Sequence, residues 1–521
     1  MTARWSLVLL ALLFGATSPP AAIGGDETPA ISIVTILQSG DPAPGLDGNV
    51  IHLVLGAPVV NARGDVGFTA TVAPAGEPMA KRHAFLLEPS REGVVLLVEG
   101  SPVPGFPDDR VGSLAGPRLA PDGWALLPIP VLSKGENWEW KPEQIVLVPP
   151  DGKAEGFARV GAITPDLKAV IDEIQGTGLG EGGRFTLRAM LRDADGRTAA
   201  VFRGDRGNGL RLLAREGAPA PGLPAGTVVR WLPYRAPAVG PGGVVAFTAD
   251  VTAPDGERQD VLYRAAWAGE VGIVARSGDP AGPGEATLDE ITSAGIGTDG
   301  AVTFRASFEG SVEEGVFAAA PGQPPRLLAL VNRVETEGPA GVPHLDAPGL
   351  TEVLVVDGGR IVGTGYREAP GAEEYACALY AADSGGRFRV LQSEGEAAPG
   401  LPGRVFLGEV ASFHASPGGV VSFLACFDEE VEGVRRRGLW LAGPDGPARL
   451  VVAEGRPLDL GGVSRTVKKI DLAGGAGQPP SNGFDGHPCP VSPAGQVFFQ
   501  LTFEDGSTGL HAASNRKIRE E

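Results

Sequence analysis

Gly243 to Phe247 reads GVVAF, and the alternation continues to Val251, so Val245, Phe247, Ala249 and Val251 lie on one side of an extended chain. Period-two patterning of this kind marks a strand with one face buried. The same opening recurs at Gly64 to Phe68 (GDVGF), Gly300 to Phe304 (GAVTF), Gly419 to Phe423 (GVVSF) and Gly495 to Phe499 (GQVFF). Leucine replaces the phenylalanine at Leu127 (GWALL) and Leu187 (GRFTL), and a degenerate eighth copy spans Gly359 to Gly363 (GRIVG). The closing positions 68, 127, 187, 247, 304, 363, 423 and 499 are 57 to 60 residues apart, except for 76 in the last interval. A fixed period of this length identifies a repeat architecture. The long last interval carries an insertion at 472–487 (LAGGAGQPPSNGFDGH), whose composition predicts a loop.

A second signal punctuates the units. The turn G-x-P-x-P-G occurs at Gly40 to Gly45 (GDPAPG), Gly100 to Gly105 (GSPVPG) and Gly217 to Gly222 (GAPAPG). Looser copies lie at Gly278 to Gly284, at Gly395 to Gly400, and from Gly455 onward. Each unit also holds a short apolar stretch after the Phe strand (Ala84 to Leu87), another running into the turn (Val94 to Val98), and a third after it (Val50 to Leu55). The pattern predicts about four strands per unit in a meander. Small residues opposite the Phe face (Gly67, Ala246, Thr303, Ser422) let the next sheet approach closely. Such small sheets bury their faces only by stacking on each other.

The ends of the chain favour a ring over an open stack. The last unit stops without the stretch that precedes the proline turn, whereas Ile31 to Leu37 (ISIVTIL) supplies that stretch at the start. The expected fold is an all-β propeller of eight four-stranded blades over 23–513, closed by N- and C-terminal strands, with a polar tail at 514–521. Seven blades or an open β-repeat stack are the alternatives.

The segment Asn61 to Phe68 (NARGDVGF) resembles the N-x-x-G-x-x-A-F motif of a bacterial family of exported tandem-repeat proteins with variable C-terminal anchors, with Gly67 in place of Ala. Gly240 to Phe247 (GPGGVVAF) matches from Gly243 but lacks the Asn. The resemblance covers nearly the whole mature chain and implies a repeat architecture and export. It implies no active site. This chain departs from the pattern by losing Asn in later copies and by lacking a recognisable C-terminal sorting segment.

Arg4 precedes the apolar run Leu7 to Ala16 (LVLLALLFGA), and small residues and prolines follow it (TSPPAAIGG). That layout predicts a signal peptide over 1–22, too short in its apolar part to span a bilayer. The expected destination is secreted or periplasmic, in association with the cell surface or free of it, with no transmembrane segment in the mature chain.

The chain has 44 Lys+Arg against 63 Asp+Glu, a net charge of −19, and only eight of the bases are lysine. No basic stripe exists to release counterions from a phosphate backbone, which argues against nucleic acid. Gly (78) and Pro (47) make up nearly a quarter of the residues, a share that the repeated turns account for without invoking disorder.

Candidate sites are sparse. Trp138 and Trp140, in GENWEWKPE (135–143), point the same way if extended and are the candidate binding residues for a sugar ring or a partner; covering a blade edge is the simpler alternative. Asp41 and Asp279 sit alike in two proline turns and read as turn chemistry. Asp193, Asp195 and Gly196 only superficially resemble a calcium loop. The six histidines form no metal-ligand spacing, no nucleophile elbow occurs, and the acidic pairs, Glu429-Glu430 among them, read as solvated loops. No cofactor and no catalytic residue is expected. Cys377 and Cys426 lie in strands of adjacent units and are the candidate disulfide, which would leave Cys489 as an odd thiol. These features predict a monomeric, non-catalytic binding scaffold for an envelope protein or glycan. An enzyme acting on an extracellular polymer and a structural surface component are the alternatives.

Overall fold

The computed structural model describes residues 31–514 except 78–79, 88–92, 133–143, 165–166, 195, 281–285, 312–313, 333–343, 347–349, 357–359, 369–374, 383–387, 432, 474–480 and 484. Within them the chain forms eight principal antiparallel sheets in sequence, the blades of a propeller. Blade 3 is representative: strands Val170–Leu179, Phe185–Asp193, Gly196–Asp205 and Gly209–Arg215 pair in that order from innermost to outermost. Blades 1, 6 and 7 follow the same plan over Asn49–Val98, Leu350–Ser393 and Phe406–Ala453. Blade 2 departs from it. Its innermost strand is reduced to Arg118–Leu119, and Phe106–Val111 pairs with Pro102–Val103 and Val131–Leu132 in a small separate sheet.

The repeated Phe position falls in the second strand of every blade, and its cross-strand partner explains it. Phe68 faces Phe85, Phe247 faces Tyr263, Phe304 faces Phe317, Phe423 faces Trp440 and Phe499 faces His511. These rings stack with centroids 5.0 to 5.8 Å apart. In the degenerate unit Gly363 lies opposite Tyr380, so the third strand supplies the only ring of that pair. Among the described residues, the glycine that opens the motif makes the hairpin turn between first and second strands: Gly64, Gly243 and Gly495 have φ of 83°, 78° and 79°, which a side chain disfavours. Gly67, the departure from the motif, packs against blade 2, where a Cβ would lie 2.7 Å from Pro117 Cγ.

Each proline turn carries an outermost strand across to the innermost strand of the next blade. Its leading glycine donates its N–H to that inner strand: Gly40 to Ile51 O (2.8 Å), Gly217 to Val229 O (2.8 Å) and Gly455 to Val467 O (2.7 Å); at blade 2 the equivalent bond, Gly100 to Val111 O (2.8 Å), goes to the small separate sheet. Gly161 makes the same bond to Ile171 O (2.8 Å). This linker is absent from the G-x-P-x-P-G series because its proline spacing differs. Asp41 and Asp279 cap their turns from within, accepting the N–H of Gln38 (2.8 Å) and Arg276 (3.0 Å).

Closure is as the chain ends suggested. Ser32–Gln38 forms the outermost strand of blade 8, antiparallel to Thr508–Ser514, with Val467–Asp471 and Val497–Phe503 completing the sheet. The N-terminal strand thereby pairs the edge that the ring would otherwise leave open.

Trp440 is the largest fully buried side chain. It stacks on Phe423 (5.7 Å), meets Phe406 edge-on (4.9 Å) and donates its indole N–H to Pro399 O (3.0 Å). Trp440→Ala is expected to cost about 3–5 kcal/mol through the cavity and the orphaned carbonyl, read as a lowered urea midpoint with an unchanged slope.

Candidate functional site

The insertion at 472–487 does not hang from the rim. Its described part, with the residues that follow it, crosses the axis and touches the inner strands of the blades around it. Ser481 O accepts the N–H of Ala415 in blade 7 (3.3 Å), Asp485 O that of Val239 in blade 4 (3.0 Å), and Gly486 O that of Leu179 in blade 3 (3.1 Å). Cys489 O accepts the N–H of Val60 in blade 1 (2.8 Å). The Asn482 carboxamide donates to Ile296 O of blade 5 (3.1 Å) and Val355 O of blade 6 (3.3 Å). Each of these partners lies at or next to the C-terminal end of an inner strand, so the segment is a plug at the end of the ring that carries the hairpin turns. It closes the axis there and leaves a recess approached from the other end.

The plug is held internally as well. Ser481 Oγ donates to Asp485 Oδ1 (2.7 Å), which also accepts the His487 N–H (3.1 Å). His414 Nδ1 accepts the Ser481 N–H (3.3 Å). A serine, an aspartate and a histidine thus meet, but not as a nucleophilic set: the hydroxyl points to the carboxylate, the imidazole to a backbone amide, and all three side chains are buried. Burial pushes the Cys489 thiol up to about 12, away from thiolate chemistry.

On the open side the recess lies against the plug, between the inner strands of blades 5 and 6. Arg235 and Glu352 line its wall, and Asn482, Asp485 and His487 its floor. Burial lowers the His487 pKa; Asp485 opposes that, while Arg118 and Arg235 reinforce it. Burial brings Arg118 down to about 10 against the pull of Asp485. Cationic, anionic and amide groups therefore converge on one wall and floor.

At blade 4 the innermost strand is interrupted. Val228–Trp231 and Ala238–Val239 pair with the second strand, and residues 232–237 leave the ladder between them. This excursion presents Trp231 (44 % exposed) and Tyr234 (70 % exposed), with ring centroids 6.4 Å apart at 71°. The aromatic pair singled out from the sequence, Trp138 and Trp140, lies outside the described residues, as does the whole signal-like segment 1–22 with its cleavage region.

The remaining candidates serve the scaffold. Gly64, Phe68, Leu127, Leu187, Gly243, Phe247, Gly300, Phe304, Gly419, Phe423, Gly495 and Phe499 sit at the turn and second-strand positions described above. No disulfide joins Cys377 and Cys426. Cys377 is on the third strand of blade 6, opposite Tyr366, and Cys426 is on the second strand of blade 7, opposite Arg437. Glu429 is not a solvated loop residue either: it lies in the strand Val421–Val431 and pairs with Arg404 (2.9 Å), Arg436 (3.3 Å) and Arg456 (2.7 Å). Asp193 pairs with Arg215. Among the described residues no three His, Cys, Asp or Glu side chains gather as a metal-holding group, and no helix is long and apolar enough to cross a membrane.

His414 and His511 give the ring a defined acid response. Both are fully buried, and burial holds each near a pKa of about 4, well below the usual 6.5. The folded-state value is the lower one, so each neutral imidazole contributes stability above pH 6.5 that is lost as the pH falls toward 4. Each shift corresponds to about 3 kcal/mol. Urea midpoints are expected to be level above pH 7 and to fall between pH 6.5 and 4, and the double variant His414→Gln, His511→Gln should flatten that limb.

The chain is thus an eight-bladed β-propeller with a plugged axis and a one-ended recess. It belongs to the family of unknown function DUF7453, whose profile matches residues 26–198 and 99–515. No curated relative matches it in sequence. Among solved structures it is similar to the β-propeller domain of the trilobed protease from Pyrococcus furiosus (11 % identity, TM-score 0.38), covering 79 % of this chain and 98 % of that one. It is similar also to the periplasmic gluconolactonase of Pseudomonas aeruginosa (15 %, TM-score 0.31, 77 % and 95 %). For the acylaminoacyl peptidase of Pyrococcus horikoshii the values are 12 % and 0.36, and the chain spans 52 % of that protein's length. These likenesses carry nothing about activity.

Proposed function

We propose that the protein is an exported, non-catalytic binding propeller that holds an envelope protein or glycan at the open end of its axis. The observation that carries this is the plug. Its polar atoms are spent on backbone partners in six other blades, so the axis forms a recess with Arg235 and Glu352 on its wall, a shape suited to retention. Export rests on the Arg4 and Leu7 to Ala16 layout. The convergence of Glu352, Asp485 and His487 keeps a polymer-acting enzyme as the second reading.

Immobilised mature protein is expected to retain a specific component from envelope extract, identified by mass spectrometry and glycan analysis, and to release no product from it on prolonged incubation. Retention of nothing contradicts the binding role. Accumulating products that vanish in Glu352→Gln favour the enzyme.

A further inference from the structure

We infer that Trp231 and Tyr234 form a carbohydrate-binding platform at the mouth of the axial recess, taking an oligosaccharide whose sugar face stacks on the rings while its hydroxyls turn toward Arg235 and Glu352. This rests on the binding role proposed above and assigns it a place and a ligand class.

The excursion at 232–237 is built as a fixed support. Its first peptide is pinned on both sides: the Leu232 N–H donates to Glu216 (3.0 Å) and the Leu232 carbonyl accepts from Arg188 Nη2 (2.8 Å). Its last carbonyl, that of Pro237, accepts from Thr186 Oγ1 (2.8 Å), and Leu232 is fully buried beneath it. A loop tied down this way presents exposed rings with little ordering left to occur on binding.

Arg188 is the second observation. It is 1 % exposed, lies against the Tyr234 ring at 4.7 Å from the centroid, and leaves Nε and Nη1 without a hydrogen-bond partner among the described residues. A buried guanidinium with two orphaned nitrogens is a costly way to support a surface tyrosine. The sheet alone does not require it, because other blades keep an inner strand there. The arrangement holds the outward face of Tyr234 in one orientation, beside Trp231 at 71°.

The lining selects the ligand class. A purely apolar segment docking here would leave charge unmatched, because Arg235, Glu352 and His487 stand beside the apolar wall residues Val353 and Leu354. Donors and acceptors of both charges beside an exposed aromatic face match a sugar, which is apolar on its ring face and hydroxylated at its edge.

The test uses the full mature chain on an oligosaccharide array, then titrations with cellohexaose, xylohexaose, laminarihexaose and chitohexaose and the strongest array ligand. Binding by the wild type, weakened at least tenfold in both Trp231→Ala and Tyr234→Ala but unchanged in the surface variant Val463→Ala on blade 8, across the ring from blade 4, is the expected result; equal thermal midpoints establish that all four proteins are folded. Saccharide binding that survives both aromatic substitutions overturns the platform and leaves the binding role standing. Absence of saccharide binding alongside retention of an identified envelope protein overturns the ligand class alone. Absence of both overturns the platform and the binding role together.

Discussion

Deleting residues 31–38 is expected to abolish the folded ring. That segment supplies the whole outer strand of blade 8, pairing at six positions with Thr508–Ser514, every residue of which is buried. Leu37 packs with Ile51, Phe498 and Leu510, and Thr35 hydrogen-bonds His511 Nδ1 (3.2 Å). The Ser39 N–H reaches Thr508 O (2.9 Å) just beyond the strand. Without it, Thr508–Ser514 becomes an apolar unpaired edge, and the imidazole of His511 loses its partner. The combined loss, about 5 kcal/mol or more, is comparable to the entire net stability of an ordinary domain. The shortened chain should elute as aggregates and melt without a cooperative transition, and a synthetic peptide spanning 31–38 should restore part of the transition by adding the missing strand. A monomeric deletion variant with the wild-type melting curve would refute closure by this strand.

Excising the plug has the next largest effect. Joining Ala473 to Val491 through a short Gly-Ser turn removes the carbonyls that receive Val60, Leu179, Val239 and Ala415, together with both Asn482 bonds. Water entering the opened axis solvates the abandoned amides, so the cost is the net worth of about six bonds plus lost packing, about 5 kcal/mol. The ring should remain folded, because each blade keeps its own ladder, but its thermal midpoint should drop by several degrees. The point variant Asn482→Ala removes the link between blades 5 and 6 and should cost about 2 kcal/mol. Differential scanning calorimetry distinguishes the two; an excision variant with an unchanged midpoint would show that the plug carries no stability.

What the residues disclose depends on whether the interaction repeats. Phe68 and its equivalents recur because five of the eight blades build the same ring pair and the others keep the same strand position, so strand positions, blade number and closure are legible from spacing. The plug occurs once. Its partners are backbone carbonyls and amides from Val60 to Ala415, which leave no side-chain pattern, and its glycines and prolines read only as a loop. Gly161 escapes the turn series because hydrogen bonding to the next inner strand needs the glycine and not the fixed proline spacing. Trp231 and Tyr234 are hidden for another reason. Val228 to Leu232 reads as one more inner strand, and the signal that it breaks is the pair Pro233 and Pro237, which cannot donate to the ladder. Arg188 carries no sequence signal, since an arginine alternating in a strand normally faces water.

Native-state hydrogen exchange at four amides tests the account most directly. Val60, Leu179, Val239 and Ala415 belong to blades 1, 3, 4 and 7, and they donate to one segment only if the ring closes around it. All four should exchange slowly and together, at the shared free energy of undocking the segment, and all four should become fast in the excision variant. Fast exchange at these amides in the intact protein, with the blade ladders still protected, would contradict an axis closed by its own chain.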